Sequence, residues 1–93
     1  MGKRLFEGVD HKIKELSQEE GVKAAGLLNL QGMLVSAQNV SSKEAAFAAS
    51  LFHNAKQLSS DDQKPVILVE GEHSNSLIKG DEDYLLLVRK SNS

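Results

Sequence analysis

Gly21-Val22-Lys23-Ala24-Ala25-Gly26-Leu27-Leu28, then Asn29-Leu30-Gln31-Gly32, then Met33-Leu34-Val35-Ser36-Ala37: two apolar runs meet at a four-residue turn signal, which is the pattern of a β-hairpin. Gly32 ends the loop, where a type I turn followed by a positive-φ residue joins two strands without splaying them. On the N-terminal side, from Leu5 to about Glu19, Leu5, Phe6, Val9, Ile13 and Leu16 fall within an arc of about 100°, opposite Glu7, His11, Lys14 and Gln18. That spacing predicts a helix docking one face only, ended by Gly21, where a left-handed residue is easiest. On the C-terminal side, Ser41-Ser42-Lys43-Glu44 is a capping-box pattern. The Ser41 hydroxyl can take the Glu44 amide, and the Glu44 side chain can reach back. A second helix follows, over about Ser42 to Leu58.

In that helix Phe47, Leu58, Leu51, Ala55, Ala48, Phe52, Ala45 and Ala49 spread over about 200°, wider than the ~100° stripe that one sheet requires. The arc points to two packing partners, and the alanines would let another helix come close; the alternative is a helix sunk in its own domain. Ser59 to Lys64 is a polar connector. Pro65 opens the third strand, Val66-Ile67-Leu68-Val69, where its missing donor does least harm. Glu70 to Asn75 turns the chain, and Ser76-Leu77-Ile78-Lys79 is a short fourth strand. Gly80 to Asp83 turns again, and Tyr84 to Arg89 is the fifth strand. The predicted order is α-β-β-α-β-β-β in one α/β (α+β) domain over residues 1–93, with a five-stranded, mostly antiparallel sheet and a helix on each face.

Strands one, three and five are almost continuously apolar, which calls for cover on both faces. Five strands at ~4.8 Å span about 24 Å, whereas a helix is only ~10 Å across. One helix per face therefore leaves apolar sheet open, and a second chain could complete the cover. Val66-Ile67-Leu68-Val69, just after Pro65, is the candidate edge strand. Unpaired it would be an aggregation hazard, so pairing with another chain resolves it; the alternative is an internal strand. The candidate contact residues are Phe47, Ala48, Leu51, Phe52 and Ala55 on the helix, with Val66, Ile67, Leu68 and Val69 on the strand.

No catalytic constellation accompanies this architecture. His11, His53 and His73 lie on a helix, a helix and a turn, and only His73 has carboxylates beside it, Glu70 and Glu72, which read as a solvated turn. Asp81-Glu82-Asp83 lacks the downstream carboxylate of a calcium loop. There is no Gly-x-Ser-x-Gly elbow and no phosphate-cradling glycine loop, so no enzyme activity, metal or other cofactor is expected. A net charge of -2, a pI near 5.9 and 4% aromatic residues supply neither a basic field nor a stacking surface for nucleic acid. The absence of cysteine removes disulfides and thiolate sites and is compatible with a reducing compartment. The start, Met1-Gly2-Lys3-Arg4-Leu5-Phe6, carries neither a signal-peptide apolar region nor a myristoylation pattern. Asn39-Val40-Ser41 matches a glycosylation pattern that has meaning only in a secreted chain.

Gly21 to Met33 resembles the "GVxG, apolar run, N/D-x-x-G, apolar" segment of the roadblock superfamily, and the resemblance covers about residues 5 to 90. Asp83-Tyr84-Leu85-Leu86-Leu87-Val88 is similar to the last strand of roadblock dynein light chains. Pro65 to Glu70, followed by Ser76 to Lys79 and a short tail, is more similar to the small Ragulator subunits. Ala24 stands where the family usually has glycine. The absence of a third helix after Val88 favours the Ragulator type over the dynein type. The resemblance implies a sheet ordered 2-1-5-4-3 that pairs third strand with third strand across a homo- or heterodimer with another roadblock-fold subunit, the second helices side by side. It further implies a non-catalytic platform for small GTPases, Rag-like in the Ragulator case. That platform would be cytoplasmic and would reach the late-endosomal or lysosomal surface only through partners, for mTOR-complex signalling. Within the interaction class the alternatives are a dynein light chain, engaging an intermediate chain, and a GTPase-regulating roadblock protein. A small-molecule sensor of profilin-like or PAS-like architecture is the alternative from another class.

Overall fold

A computed structural model describes residues 2–58, 65–80 and 83–92, with the side chains described from Gly8 onward. The elements are α1 (Gly2–Ser17), β1 (Val22–Asn29), β2 (Leu34–Gln38), α2 (Ser42–Leu58), β3 (Val66–Glu70), β4 (Ser74–Gly80) and β5 (Tyr84–Ser91). They form one antiparallel sheet in the order β2-β1-β5-β4-β3, the order that the resemblance implies. The expected contacts of Leu5 and Phe6 fall on side chains outside the described set, and the connector Ser59 to Lys64 and the acidic residues Asp81 and Glu82 lie outside the described residues.

The period-2 alternation of a strand sorts side chains onto two faces. Leu28 pairs with Leu85 and Gly26 with Leu87. Leu28, Leu85, Leu87 and Ile78 form the principal core with Ala45, Ala48, Ala49 and Phe52 of α2. On the other face Leu27 pairs with Leu86, and α1 lies over β1 and β2, burying Ile13. Each face thus carries one helix, as expected.

The hairpin turn is built on Asn29. Its Oδ1 accepts from the backbone N–H of Gln31 at 3.0 Å and of Met33 at 2.9 Å, while Gly32 N–H donates to the Asn29 carbonyl at 3.0 Å. Gly32 takes φ +90°, and a Cβ there would sit 3.2 Å from both Ala46 Cα and Ala49 Cβ, so glycine lets the turn lie on α2. This seat pins the hairpin to the helix that follows it in sequence.

Several boundaries differ from the expectation. α1 ends at Ser17, because Gln18 and Glu19 close tight turns onto the carbonyls of Glu15 and Leu16 at 3.1 and 3.2 Å. Gly21, at φ +85°, ends that turn rather than the helix itself. β2 starts at Leu34 and leaves Met33 exposed. Pro65 stands just before β3. β4 begins at Ser74 because Ser74 and Asn75 are paired to Ser91 and Lys90 of β5; polar residues join the sheet where both neighbours supply backbone partners. The tail extends β5 to Ser91, whose N–H donates to the Gly21 carbonyl at 2.8 Å.

The capping box forms by half. Ser41 Oγ accepts from Glu44 N–H at 3.1 Å, but the Glu44 carboxylate turns to Arg89 of β5, at 3.1 and 2.9 Å from Nη1. Arg89 also donates to the Asn39 carbonyl at 3.3 Å. A partly buried guanidinium outcompetes a local amide for the carboxylate, and the pair ties the start of α2 to the sheet.

Gly80 is the tightest seat in the core. A methyl group there would overlap the Phe52 ring and lie 2.7 Å from Leu85 Cδ2. Gly80→Ala is expected to lower the unfolding free energy by about 1–3 kcal/mol, read as a lower urea midpoint. Ser41→Ala is expected to cost about 1 kcal/mol by the same measurement.

Candidate partner interface

β3 is an outer strand of the sheet, paired to β4 alone. At its far end Gly71 N–H donates to the Ser74 carbonyl at 3.0 Å, and Val69 and Ile67 face Ser76 and Ile78 across the same ladder. Alternation along an antiparallel pair then turns the backbone N–H and C=O groups of Val66, Leu68 and Glu70 away from β4. The Val66 and Leu68 side chains are 58% and 57% exposed, whereas Ile67 and Val69 are half-buried against the α2 core. The edge strand expected from sequence is therefore an edge strand, its outward backbone groups unpaired among the described residues. Among the described residues α2 covers one face of this strand, and the cover expected on the other face is not supplied.

α2 flanks that border. Phe47 is 58% exposed and Leu58 89%, with Leu51 and Ala55 half-buried. Phe52 and Ala48, also named as candidate contact residues, are each 1% exposed within the single chain. They lie at the centre of the helix arc that faces the sheet, so they support the surface from beneath. Ala48 lines a recess of about 190 Å³ between helix and strands, together with Glu44, Phe47, Val69, Ser76, Ile78 and Leu87. The opposite flank of α2 is occupied within the chain: His53 Nε2 donates to the Leu30 carbonyl at 2.8 Å, and its ring sits edge-on to Phe52, 6.3 Å between centroids.

A second open surface lies on the α1 side of the sheet. α1 covers β1 and β2, leaving Leu77 and Tyr84 exposed and Leu86 half-buried, alongside Val66 and Leu68. A cleft of about 440 Å³ runs between Val9, Ile13 and Leu16 of α1 and Leu27 and Leu86 of the sheet. A second, of about 240 Å³, continues past Leu86 to Lys79 and Tyr84. The sequence reading anticipated uncovered apolar sheet and names Val66 and Leu68 as contact residues, but not Leu77, Tyr84 or Leu86. The unbroken run Leu85-Leu86-Leu87-Val88 was the available signal.

His11 pairs with Glu15 one turn on, Nε2 to Oε1 2.8 Å, both side chains largely exposed; their i,i+4 spacing is the signal of the pair in the sequence. His73 is exposed, and its carbonyl accepts from Asn92 N–H at 3.2 Å. Among the described residues no group of three histidine, aspartate or glutamate side chains could hold a metal ion, and no helix is long and apolar enough to cross a membrane.

A family model described as Ragulator complex protein LAMTOR5 matches residues 7–90. No curated protein sequence matches the chain. Among solved structures, a Roadblock/LC7 domain from Streptomyces avermitilis is 18% identical with a TM-score of 0.79, over 90% of this chain and 78% of that one. An MglB with tetrameric arrangement is 16% identical with a TM-score of 0.81, over 92% of this chain and 72% of that one. Acanthamoeba castellanii profilin IA is 12% identical with a TM-score of 0.64, over 88% of this chain and 79% of that one. Likeness at these identities shows a shared fold.

Surface and core make different demands on the two elements. Leu68→Glu is expected to leave the isolated chain folded, with stability changed by no more than about 0.5 kcal/mol, as for an exposed position. Phe52→Glu is expected to unfold it, since an unpaired carboxylate in the core costs several kcal/mol. Circular dichroism through a thermal melt distinguishes the two.

Proposed function

The chain belongs to the Ragulator complex protein LAMTOR5 family, and from that premise we propose that it is a non-catalytic adaptor that pairs through β3 and α2 with a second roadblock-fold subunit. The pair then forms part of a platform for Rag-like small GTPases. The observation that carries this reading is the outer border of β3, whose backbone groups at Val66, Leu68 and Glu70 turn away from β4, with Phe47 and Leu58 of α2 exposed on one face of the sheet and Val66 and Leu68 exposed on the other. Sheet extension supplies hydrogen bonds to the strand, and the helices supply apolar contact. The tetrameric arrangement named for the MglB relative supports assembly as a use of this fold.

The uncovered sheet face beside α1 gives the adaptor a second contact surface, so that one subunit can hold a pairing subunit at its edge and another chain on its face. The chain works at the late-endosomal or lysosomal surface, held there by those partners. The Ragulator match favours this role over that of a dynein light chain. The profilin likeness reflects the shared fold.

The test is the mass and composition of the complex recovered from cells at native concentration. It is expected to hold a second roadblock-fold subunit, and Leu68→Glu is expected to weaken that pairing by at least ~100-fold, because the charge would be buried in an apolar contact. A stable monomer at native concentration contradicts the reading.

A further inference from the structure

Asn92, one residue past β5, reaches across the start of β4 to the end of β3. Its Nδ2 donates to the Gly71 carbonyl at 2.7 Å, and its backbone N–H donates to the His73 carbonyl at 3.2 Å. Gly71 is held on its other side as well, its N–H donating to the Ser74 carbonyl at 3.0 Å and to Asn75 Oδ1 at 3.2 Å. A Cβ on Gly71 would lie 2.6 Å from the Ser74 carbonyl oxygen, so glycine is what lets the chain turn this closely. β5 is the middle strand of the sheet and β3 an outer one. The Asn92 carboxamide thus ties the outer border of the sheet to its centre.

We propose that Asn92 is a positioning residue for strand pairing at β3, holding the Glu70 carbonyl in the plane where a partner strand can donate to it. The inference rests on the reading of β3 as the pairing edge. The Glu70 carbonyl and the Gly71 N–H belong to one planar trans peptide unit and point to opposite sides of it. Because that N–H is directed at Ser74, the carbonyl is directed away from β4, as the acceptor nearest the turn on the border of Val66, Leu68 and Glu70. Asn92 fixes the next peptide unit through the Gly71 carbonyl. The glycine between the two units is then held from both sides. Without the Asn92 bond the second unit can rotate about Gly71, the residue type with the widest backbone freedom, and the bonds of the first unit loosen with it. A partner strand would have to order this end of β3 before pairing with it, an entropic cost that lowers affinity.

Amide exchange on the purified full chain and a competition in cells test this together. Asn92→Asp puts an acceptor oxygen in place of the donor nitrogen at nearly the same shape, and Asn92→Ala removes the carboxamide without adding charge beside Glu70 and Glu72. Each is expected to speed exchange at Gly71 about three- to ten-fold, the weight of one hydrogen bond, and to leave Leu85 and Leu87 of the middle strand unchanged. With a variant and the unsubstituted chain expressed at equal levels, mass spectrometry of the complex recovered from those cells is expected to find the variant at least ~2-fold depleted. Unchanged exchange at Gly71, or exchange at Leu85 and Leu87 raised to the same degree, overturns the positioning role. Faster exchange at Gly71 with equal recovery of variant and unsubstituted chain overturns its bearing on pairing. Equal recovery of Leu68→Glu in the same competition overturns instead the pairing edge on which the inference rests.

Discussion

A sheet wider than its cover is the constraint from which the rest follows. The order β2-β1-β5-β4-β3 sets α1 over β1 and β2 and α2 over the middle of the other face, so β3 and the α1-side face of β4 stay open. Leu68, Val66 and Leu77 stand exposed there. Each such side chain contributes about 1.5–3 kcal/mol when fully buried, against a net stability of about 5–15 kcal/mol for a whole domain. Covering them is therefore comparable in size to folding itself. Pairing β3 with another strand satisfies its outward backbone groups in the same step, which side-chain burial alone cannot do.

The open surfaces are useful because their supports are rigid. α2 is fixed at its start by the Ser41 cap and by the Glu44–Arg89 pair, along its hairpin flank by Gly32 and His53, and at its centre by Phe52 lying on Gly80. These contacts hold the Phe47-to-Leu58 flank at a set height above the sheet beside β3. On the proposed pairing, a partner meets a formed surface and orders few side chains on binding, which lowers the entropic cost of association. The same ties keep Ala48 and Phe52, central to the apolar arc of the helix, buried within the chain.

Legibility in the sequence followed the physics of each element. The hairpin, the span of α2 and the edge strand were readable because turn glycines, a capping serine and apolar periodicity act locally. The sheet order came from the roadblock resemblance, since pairing among distant strands leaves no local mark. Glu44 was read as a capping partner because its competitor, Arg89, is remote in sequence. The start of β4 was misread for the same reason, as Ser74 and Asn75 look like turn residues until β5 runs beside them. The α2 arc was half legible: it is wider than one sheet requires, but burial within the fold was needed to separate the exposed Phe47 and half-buried Leu51 from the buried Phe52 and Ala48.

The central claim, that β3 is an edge completed by another chain, is tested most directly by amide hydrogen exchange along β3 in the isolated chain and in the complex recovered from cells. Exchange at Leu68 and Glu70 should be fast in the isolated chain and slowed at least ~100-fold in the complex, while Ile67 and Val69, which face β4, are protected in both. Equal exchange at Leu68 and Glu70 in the two states would show that the strand is not where the partner binds.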